Sequence, residues 1–156
     1  MTNTNDITIR EATPDDIGIL RHFEQGVIEA ERPFDPTLRK DDIRYYDLEN
    51  LITSDQSYLV VAEADGRLVG SGYARIEEAK PWLKHRNYAY LGFMYVVPEY
   101  RGRGINARII GELKDWALSQ DIRELRLEVY SPNTAAIQAY KKVGFSEHML
   151  EMRAEI

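Results

Sequence analysis

The feature that most restricts the fold is a junction in the middle of the chain, where a strand-like segment meets a glycine-rich turn and then a helix. Asn87–Val97 is a long run of aromatic and aliphatic residues, and Pro98 ends it. Arg101-Gly102-Arg103-Gly104 follows. After this turn, apolar residues recur at the three-to-four-residue spacing of an amphipathic helix. They are Ile105, Ile109, Leu113 and Trp116.

The turn itself has the composition of a phosphate-binding site. Glycines let backbone N–H groups approach phosphate oxygens, and a helix N-terminus adds free N–H groups and partial positive charge. Arg101, Arg103 and Arg108 add full positive charges. An ordinary strand-to-helix connection with exposed arginines is the alternative, at roughly even odds on the turn alone. The turn matches neither the GxxxxGK[ST] loop of nucleoside triphosphate sites nor the GxGxxG of nicotinamide sites.

The rest of the chain alternates between the two periodicities of secondary structure. The predicted strands are Ile7–Arg10, Ser57–Glu63, Leu68–Ile76, Asn87–Val97, Glu124–Tyr130 and Phe145–Arg153. Helices are predicted over Thr13–Glu31, over Asp41–Ile52, from Ile105 onward, and from Ser131 to about Lys142, with Gly144 as a helix C-terminal cap. Asp65-Gly66 predicts a hairpin turn. Gly70 and Gly72 weaken the returning strand, which can mark a bulge or a close backbone approach.

This order of elements predicts a mixed αβ chain with a central sheet flanked by helices. The 156 residues suit one domain with one core, so we expect residues 1–156 to form a single domain.

Two motifs and the opening of the chain resemble the GNAT superfamily of N-acetyltransferases. The family's acetyl-coenzyme A pattern, Arg/Gln-x-x-Gly-x-Gly/Ala, reads here Arg101-Gly102-Arg103-Gly104-Ile105-Asn106, with Asn106 at the last position. A second motif is matched by Asn133, Ala136, Tyr140, Lys142, Gly144 and Phe145, and the usual opening by Ile9–Thr13 and Asp16. The resemblance implies an α+β fold. Its central sheet would be mostly antiparallel, with about six to seven strands, splayed middle strands and about four flanking helices.

The resemblance also implies an activity and a donor. The chain would transfer the acetyl group of acetyl-coenzyme A to a primary amine of a small molecule or peptide, by direct attack in a ternary complex. The alternative is a catalytically weak sensor or regulatory module that binds acyl-coenzyme A in the same fold. Dimers are frequent in the family, so a homodimer is allowed.

By the same resemblance, the coenzyme contacts come from three places. The backbone of Tyr95, Val96 and Val97 would hold the pantetheine arm, with Val96 N–H as the oxyanion donor. The pyrophosphate would be held by Arg101, Gly102, Arg103, Gly104, Ile105 and Asn106. Asn133 would cap the last helix, contact the coenzyme, or do both.

Proton transfer needs an acid and a base. Tyr140 is the candidate acid for the departing thiolate, because a phenol with a pKa of about 10 stays protonated at neutral pH. Residue type alone favours a core position for Tyr140, roughly two to one, and the resemblance reverses this preference. The identity of the general base is not assigned by the sequence. Asn87–Val97 carries no carboxylate, so Glu128 is the best carboxylate, although a solvated or ion-paired role has at least equal weight. Tyr90 could act through ordered water, and an amine with a low pKa would need no dedicated base.

The acceptor site is expected where the first two helices and the loop Glu77–Arg86 meet the splayed strands. Glu31, Tyr73 and Trp82 are the candidate substrate contacts. Glu29 and Asp35 lie in the same segments, and acids there suit a cationic amine. For each residue taken singly, a place in a solvated loop is the more probable interpretation.

Composition and charge oppose other classes of protein. The net charge of −6 opposes attraction of the whole protein to nucleic acid or to an anionic membrane. No apolar run approaches the roughly 20 residues of a membrane span, and Met1–Asp6 shows no secretory signal, so we expect a cytoplasmic location. There is no Cys, and the three His residues lie far apart, so no metal site is expected.

Overall fold

The computed structural model describes residues 6–156, and within them five strands form one sheet in the order β1-β2-β3-β4-β5. The strands are β1 Thr8–Glu11, β2 Ser57–Ala64, β3 Arg67–Glu78, β4 Asn87–Val96 and β5 Leu125–Arg126. β1 to β4 are antiparallel neighbours, and β5 is parallel to β4. This mostly antiparallel sheet confirms the predicted fold class, with five strands where six to seven were expected. The prediction that Met1–Asp6 shows no secretory signal concerns residues of which Met1–Asn5 lie outside the described part of the chain.

Over residues 6–156, four α-helices accompany the sheet. They are α1 Ile17–Glu31, α2 Leu48–Thr53, α3 Ile105–Ser119 and α4 Thr134–Lys142. A 3-10 turn, Pro14–Asp16, leads into α1, and Thr13 N–H donates to Asp16 Oδ2 at 2.8 Å. Among the described residues, no helix is both long enough and apolar enough to cross a membrane.

The core lies between the sheet and the apolar faces of α1 and α3. α1 packs against β3 and β4, whereas α3 packs against β2, β3 and β4. Ile105, Ile109 and Leu113 of α3 are buried at the spacing that the sequence predicts. Burying a side chain of this size contributes about 1.5–3 kcal/mol. α3 is therefore fixed on the sheet, and its N-terminus is held directly after the Gly-Arg-Gly turn.

The predicted second helix is wrong at its start, because Asp41–Asp47 is not helical. Glu24 of α1 is fully buried, and its Oε2 accepts hydrogen bonds from the backbone N–H groups of Tyr45 and Tyr46 at 2.9 and 2.8 Å. These two N–H groups are thus taken by a side chain from another element. α2 then begins after Asp47, whose side chain accepts a hydrogen bond from Asn50 N–H at 3.1 Å.

Two predicted strands are shorter than expected or missing. Of Glu124–Tyr130, only Leu125–Arg126 pairs with β4, and Phe145–Arg153 forms no strand. A strand exists only where a neighbour completes its ladder. Within residues 6–156, the first segment has such a neighbour only at Leu125–Arg126, and the second segment has none. The C-terminal cap predicted at Gly144 is confirmed at the end of α4, just before Phe145–Arg153. Gly144 has φ 104°, and its N–H donates to Lys141 O at 3.1 Å.

Candidate active site

β4 and β5 separate after a short parallel contact. They pair at Ala89↔Leu125 and Tyr90↔Arg126, and β4 then continues to Val96 paired only with β3. The edge of β4 beyond Tyr90 therefore faces a gap that ends at the Gly-Arg-Gly turn. This is the splayed arrangement that was expected.

β4 also contains a bulge opposite the glycines of β3. The pairing shifts from Ser71↔Tyr95 to Tyr73↔Gly92, so β4 has one residue more than β3 over this stretch. The extra residue is accommodated at Phe93, which has φ 57°. Its carbonyl accepts a hydrogen bond from the buried Ser71 hydroxyl at 2.9 Å.

Gly72 of β3 allows this close packing. A Cβ at Gly72 would lie 2.7 Å from Ile109 Cγ2 and 2.8 Å from Met94 Sδ. Both distances are shorter than real side-chain contacts, so only glycine fits between α3 and the bulged strand. The prediction of a bulge or a close approach at the β3 glycines is confirmed.

The end of β4 presents one backbone donor to the gap. Val97 N–H donates to Val69 O, and Val97 O accepts from Tyr100 N–H, both at 2.9 Å, so both polar groups of Val97 have partners within the chain. Successive N–H groups of an extended strand point to opposite edges. Because Val97 N–H points to β3, Val96 N–H points to the gap.

The Gly-Arg-Gly turn leaves the start of α3 open. Gly102 and Gly104 both have φ 78°, in the left-handed region that favours glycine. Gly104 directly precedes α3, and no side chain caps that helix end. The first helical hydrogen bond runs from Arg108 N–H to Gly104 O at 3.2 Å. The N–H groups of residues 105–107 are therefore directed out of the helix, which is the geometry that binds phosphate groups.

The arginines of the turn lie against aromatic rings. Arg101 Nε donates to Val96 O at 2.9 Å, and its guanidinium lies 5.8 Å from the centre of the Tyr95 ring. The guanidinium of Arg103 lies 4.7 Å from the centre of the Tyr100 ring. Both arginines are exposed, so their charges remain accessible to an anion in the gap.

On the other side of the bulge lies a group of tyrosines and carboxylates, which we call the acceptor cluster. Its members are Glu31, Asp35, Tyr45, Tyr46, Tyr73, Tyr90 and Tyr130. Two of its tyrosines donate to carboxylates: Tyr45 to Glu31 at 2.7 Å, and Tyr130 to Asp35 at 2.6 Å.

Aromatic contacts join the cluster to the bulge. Tyr46 stacks on Phe93 with 4.4 Å between ring centres, and its ring meets Tyr73 edge-on at 5.9 Å. Tyr73 in turn lies 6.5 Å from Tyr90. The segment before α2 is thus packed directly against the widened part of β4.

Burial and neighbouring charges set the protonation of this region. Burial raises the pKa of Glu31, the hydrogen bond from Tyr45 opposes the rise, and the charge of Asp35 adds to it. Burial also raises the pKa of Tyr140, and the negative charge of Glu31 adds to the rise. For Tyr90, burial and then the charge of Glu128 raise the pKa. Both phenols therefore keep their protons at neutral pH.

The family model of the acetyltransferase (GNAT) family matches residues 24–145. The chain belongs to the GNAT family. This membership confirms the predicted enzyme class, N-acetyltransferase, and the family's donor, acetyl-coenzyme A. Among the described residues, no group of three or more His, Cys, Asp or Glu side chains is placed to hold a metal ion.

Known GNAT proteins resemble the chain along most of its length. An uncharacterised N-acetyltransferase of Methanocaldococcus jannaschii is 31% identical to this chain. The match covers 90% of this chain and 61% of the length of that relative. A thialysine N-epsilon-acetyltransferase of Bos taurus is 30% identical to this chain. The match covers 88% of this chain and 83% of the length of that relative. The fold is shared with a predicted acetyltransferase of Clostridium acetobutylicum crystallised with acetyl-CoA. That structure has a TM-score of 0.75 and 21% identity, and the match covers 94% of this chain and 96% of that one.

The residues assigned by resemblance to GNAT enzymes fall at several places in the structure. Tyr140 is half-buried on α4, with its ring edge-on to Phe145 at 5.9 Å. Asn133 caps α4, because its side chain accepts a hydrogen bond from Ala136 N–H at 3.2 Å. Asn106 is half-buried, and its Oδ1 is buried without a hydrogen-bond partner among the described residues.

The predicted acceptor contacts are only partly brought together. Glu31 and Tyr73 belong to the acceptor cluster, as does Tyr90, one of the candidate catalytic residues. Glu128 is exposed beyond β5. Trp82 lies 78% exposed on the loop between β3 and β4, so its role in binding stays a prediction.

Sequence reasoning missed three members of the cluster, Tyr45, Tyr46 and Tyr130. The helical pattern expected over Asp41–Ile52 concealed the first two. For these two, the available signal was a pair of adjacent tyrosines downstream of a loop with two prolines.

Proposed function

We propose that residues 1–156 act as one catalytic domain that transfers the acetyl group of acetyl-coenzyme A to a primary amine of a small cationic molecule or peptide. One observation carries the proposal. The gap beside Val96 opens at one end on the Gly-Arg-Gly turn, and the acceptor cluster packs against the bulge of the same strand. Donor and acceptor would meet at the end of β4.

The donor would lie along the gap. Its pyrophosphate would bind the N–H groups at the start of α3, with Arg101 and Arg103 supplying positive charge. Its thioester oxygen would accept a hydrogen bond from Val96 N–H. In acyl-transfer enzymes such as serine proteases, one such donor to a developing oxyanion contributes about 3 kcal/mol to catalysis. Tyr95, Ile105 and Asn106 would complete the contacts to the coenzyme.

The acceptor would enter through the cluster. Glu31 and Asp35 offer two carboxylates within a wall of tyrosine rings, and cations are attracted both by carboxylates and by the faces of such rings. This arrangement suits an acceptor with a second positive charge besides the reacting amine. A relative from Bos taurus is named thialysine N-epsilon-acetyltransferase, a name that specifies an amine acceptor.

The transfer requires one proton to leave the amine and one to reach the sulfur. In our proposal the neutral amine attacks the thioester carbon in the ternary complex, and the tetrahedral intermediate collapses with loss of the thiolate. Tyr140 protonates the thiolate, which its retained proton allows. The amine proton leaves toward Glu128, with Tyr90 or ordered water between them. The negative charge of Glu128 contributes to the raised pKa of Tyr90, in accord with this route.

A panel of amines tests the proposal. Amines with one and with two positive charges, amino-terminal peptides and neutral aromatic amines would each be incubated with acetyl-coenzyme A, and free thiol would be detected. We expect thiol release with primary amines, fastest for those with two positive charges. Tight coenzyme binding without thiol release across the whole panel would contradict catalysis and favour a sensor.

A further inference from the structure

A guanidinium lies directly over two tyrosines of the acceptor cluster. The Cζ atom of Arg75, on β3, lies 5.5 Å from the centre of the Tyr73 ring and 5.6 Å from the centre of the Tyr90 ring. The two carboxylates of the cluster attract cations, whereas this arginine repels them. The positive charge therefore fits an acceptor that carries an anionic group in addition to its amine.

Strand geometry places this guanidinium on the face of the sheet that carries the cluster. Tyr73 and Arg75 are two residues apart on β3, so their side chains share a face. Tyr73 pairs with Gly92 of β4, and Arg75 pairs with Tyr90. A Cβ at Gly92 would lie 2.5 Å from Tyr73 Cζ, so only glycine leaves room for this ring. The rings of Tyr73 and Tyr90 can thus lie 6.5 Å apart beneath the guanidinium.

Only part of the Arg75 guanidinium is bonded within the chain. Its Nε donates to Glu77 Oε1, and within residues 6–156 no other carboxylate or carbonyl oxygen accepts a hydrogen bond from it. The Tyr73 hydroxyl is a further neighbour. An arginine has five N–H donors in a fork, and a carboxylate can accept two of them in parallel. Because the side chain is 43% exposed, a ligand can reach the terminal nitrogens.

Opposite charges act on the ring of Tyr90 from different elements. Burial is the main reason that the pKa of Tyr90 is raised. The charge of Arg75 opposes this rise, and the charge of Glu31 adds to it. Glu31 belongs to α1 and Arg75 to β3, and within residues 6–156 no ion pair joins them. The cluster therefore has carboxylates and a guanidinium that do not neutralise each other directly.

We propose that Arg75 binds a carboxylate group of the acceptor, so that the acceptor carries both a primary amine and a carboxylate, as a diamino acid or a short peptide does. The inference rests on the proposed function, because it specifies the acceptor of the same site. The reacting amine would lie at the end of β4 and the carboxylate on Arg75. A second ammonium group, where the acceptor has one, would lie near Glu31 and Asp35.

The register limits the distance between the amine and the carboxylate. Val96, whose N–H would bind the thioester oxygen, pairs with Gly70. At about 3.4 Å per residue, Arg75 lies roughly 17 Å from Gly70 along β3, and Tyr73, whose ring the guanidinium reaches, roughly 10 Å. A contact of about 3 Å at each end leaves roughly 4–11 Å for the acceptor. The two groups of an α-amino acid are closer together than this, whereas those of lysine or of a dipeptide fit.

A series of acceptors tests the carboxylate and the spacing together. The unbranched amino acids from glycine to 7-aminoheptanoate would be compared with their carboxamides, and lysine and glycylglycine with theirs, by kcat/KM. For the longer members we expect each acid to exceed its carboxamide at least about tenfold, because a charged acceptor forms the stronger hydrogen bonds. Glycine should show no such preference. The lysine and glycylglycine arms show which source of the carboxylate is accepted.

Two arginines provide matched variants. Arg126 of β5 pairs with Tyr90 in the sheet, and its Nε donates to Glu124 at 3.1 Å, much as Arg75 donates to Glu77. Its guanidinium, however, lies 5.2 Å from the centre of the Tyr88 ring, outside the cluster. We expect Arg75→Gln to reduce the preference for acids to less than about twofold through KM. Arg126→Gln should keep the preference, and Arg75→Lys should keep part of it, since lysine retains the charge without the fork.

The unaltered Kd for acetyl-coenzyme A, measured by calorimetry, would show that each variant is folded. Equal kcat/KM for acids and carboxamides, or a preference that survives Arg75→Gln, would overturn the inference and leave acetyl transfer intact. If no amine releases thiol, the proposed function fails instead. Calorimetry of 6-aminohexanoate and its carboxamide on protein saturated with coenzyme A then decides the inference alone, since equal Kd values for the two would overturn it.

Discussion

Tyr140 is the residue on which most of the proposed chemistry depends. It keeps its proton because burial and the nearby charge of Glu31 raise its pKa. We expect Tyr140→Phe to lower kcat about 100-fold, since positioned general acids contribute about that much or more. The Kd for acetyl-coenzyme A should change less than about twofold, because the lost hydroxyl acts only on the departing sulfur. Steady-state kinetics would measure kcat, and calorimetry would measure the Kd for acetyl-coenzyme A.

A matched control is available at Tyr58. Its ring stacks on Trp116 at 5.6 Å, and its hydroxyl donates to Glu112 at 3.1 Å, on β2 and away from the gap. Tyr58→Phe removes the same atom and should leave kcat unchanged. If Tyr140→Phe behaves like Tyr58→Phe, Tyr140 has no part in proton transfer.

At this scale, the sequence indicated the backbone conformation of the turn better than the composition of the acceptor cluster. Gly102 and Gly104 have the left-handed conformation that a glycine-rich turn predicts, because this conformation depends on a local run of residues. Tyr45, Tyr46 and Tyr130 were not identifiable, because their positions depend on Glu24 and Asp35, which lie 21 or more residues away in the chain. Such contacts have no local signature.

Among the elements, the Gly-Arg-Gly turn gives a prediction that separates charge from conformation. Asn and Asp tolerate the left-handed conformation of Gly104 about equally and have nearly the same size. A negative charge about 4 Å from a bound pyrophosphate costs roughly 2 kcal/mol at a partly solvated site. We therefore expect Gly104→Asp to bind acetyl-coenzyme A roughly 30-fold more weakly than Gly104→Asn, as measured by calorimetry. Equal affinities would mean that phosphate does not bind at this turn.

The segment between α1 and α2 gives a second prediction at the element scale. Replacing Glu24 by Leu leaves the N–H groups of Tyr45 and Tyr46 without their acceptor. We expect a loss of about 3 kcal/mol in the free energy of unfolding, because hydrogen bonds to charged groups are among the stronger ones. The KM for the amine should rise, and the affinity for coenzyme should stay the same. Urea unfolding and steady-state kinetics would measure these effects.

Glu29 serves as the control on the same helix. It is exposed and pairs with Arg32 at 2.9 Å, so Glu29→Leu should cost less than about 1 kcal/mol. If the two variants lose similar stability, Glu24 does not hold the segment in place.

The elements also show why some strands could be predicted and others could not. β2, β3 and β4 form as expected because each has a neighbour close in sequence. Glu124–Tyr130 and Phe145–Arg153 have equally good strand patterns, but a pattern states a preference for extended backbone and does not provide the neighbour. Within one chain these segments remain largely unpaired.

For the whole molecule, one ion pair links folding to pH. Arg10 donates to both carboxylate oxygens of the buried Asp16, at 2.8 and 2.9 Å, and the hydrogen bond from Arg10 is the main reason that the pKa of Asp16 lies below its usual 3.8. A carboxyl group with a lowered folded-state pKa stabilises the fold above its unfolded pKa. That contribution is lost as the pH falls through the folded pKa.

We therefore expect the unaltered chain to have a higher free energy of unfolding than Asp16→Asn at pH 7. This difference should decrease as the pH falls below about 3.8, the usual pKa of the Asp16 carboxyl group. Urea unfolding at several pH values would measure this difference. A difference that stays constant from pH 7 to pH 2 would show that the carboxylate charge does not contribute.

The measurement that tests the central claim most directly is the stoichiometry of transfer. Free coenzyme A thiol and N-acetylated amine would be quantified in the same reaction, by thiol detection and by mass spectrometry. Direct attack in a ternary complex predicts one acetylated amine for each thiol released, and no thiol when the amine is omitted. Thiol release without acetylated product would indicate hydrolysis of the thioester and would contradict acetyl transfer at the end of β4.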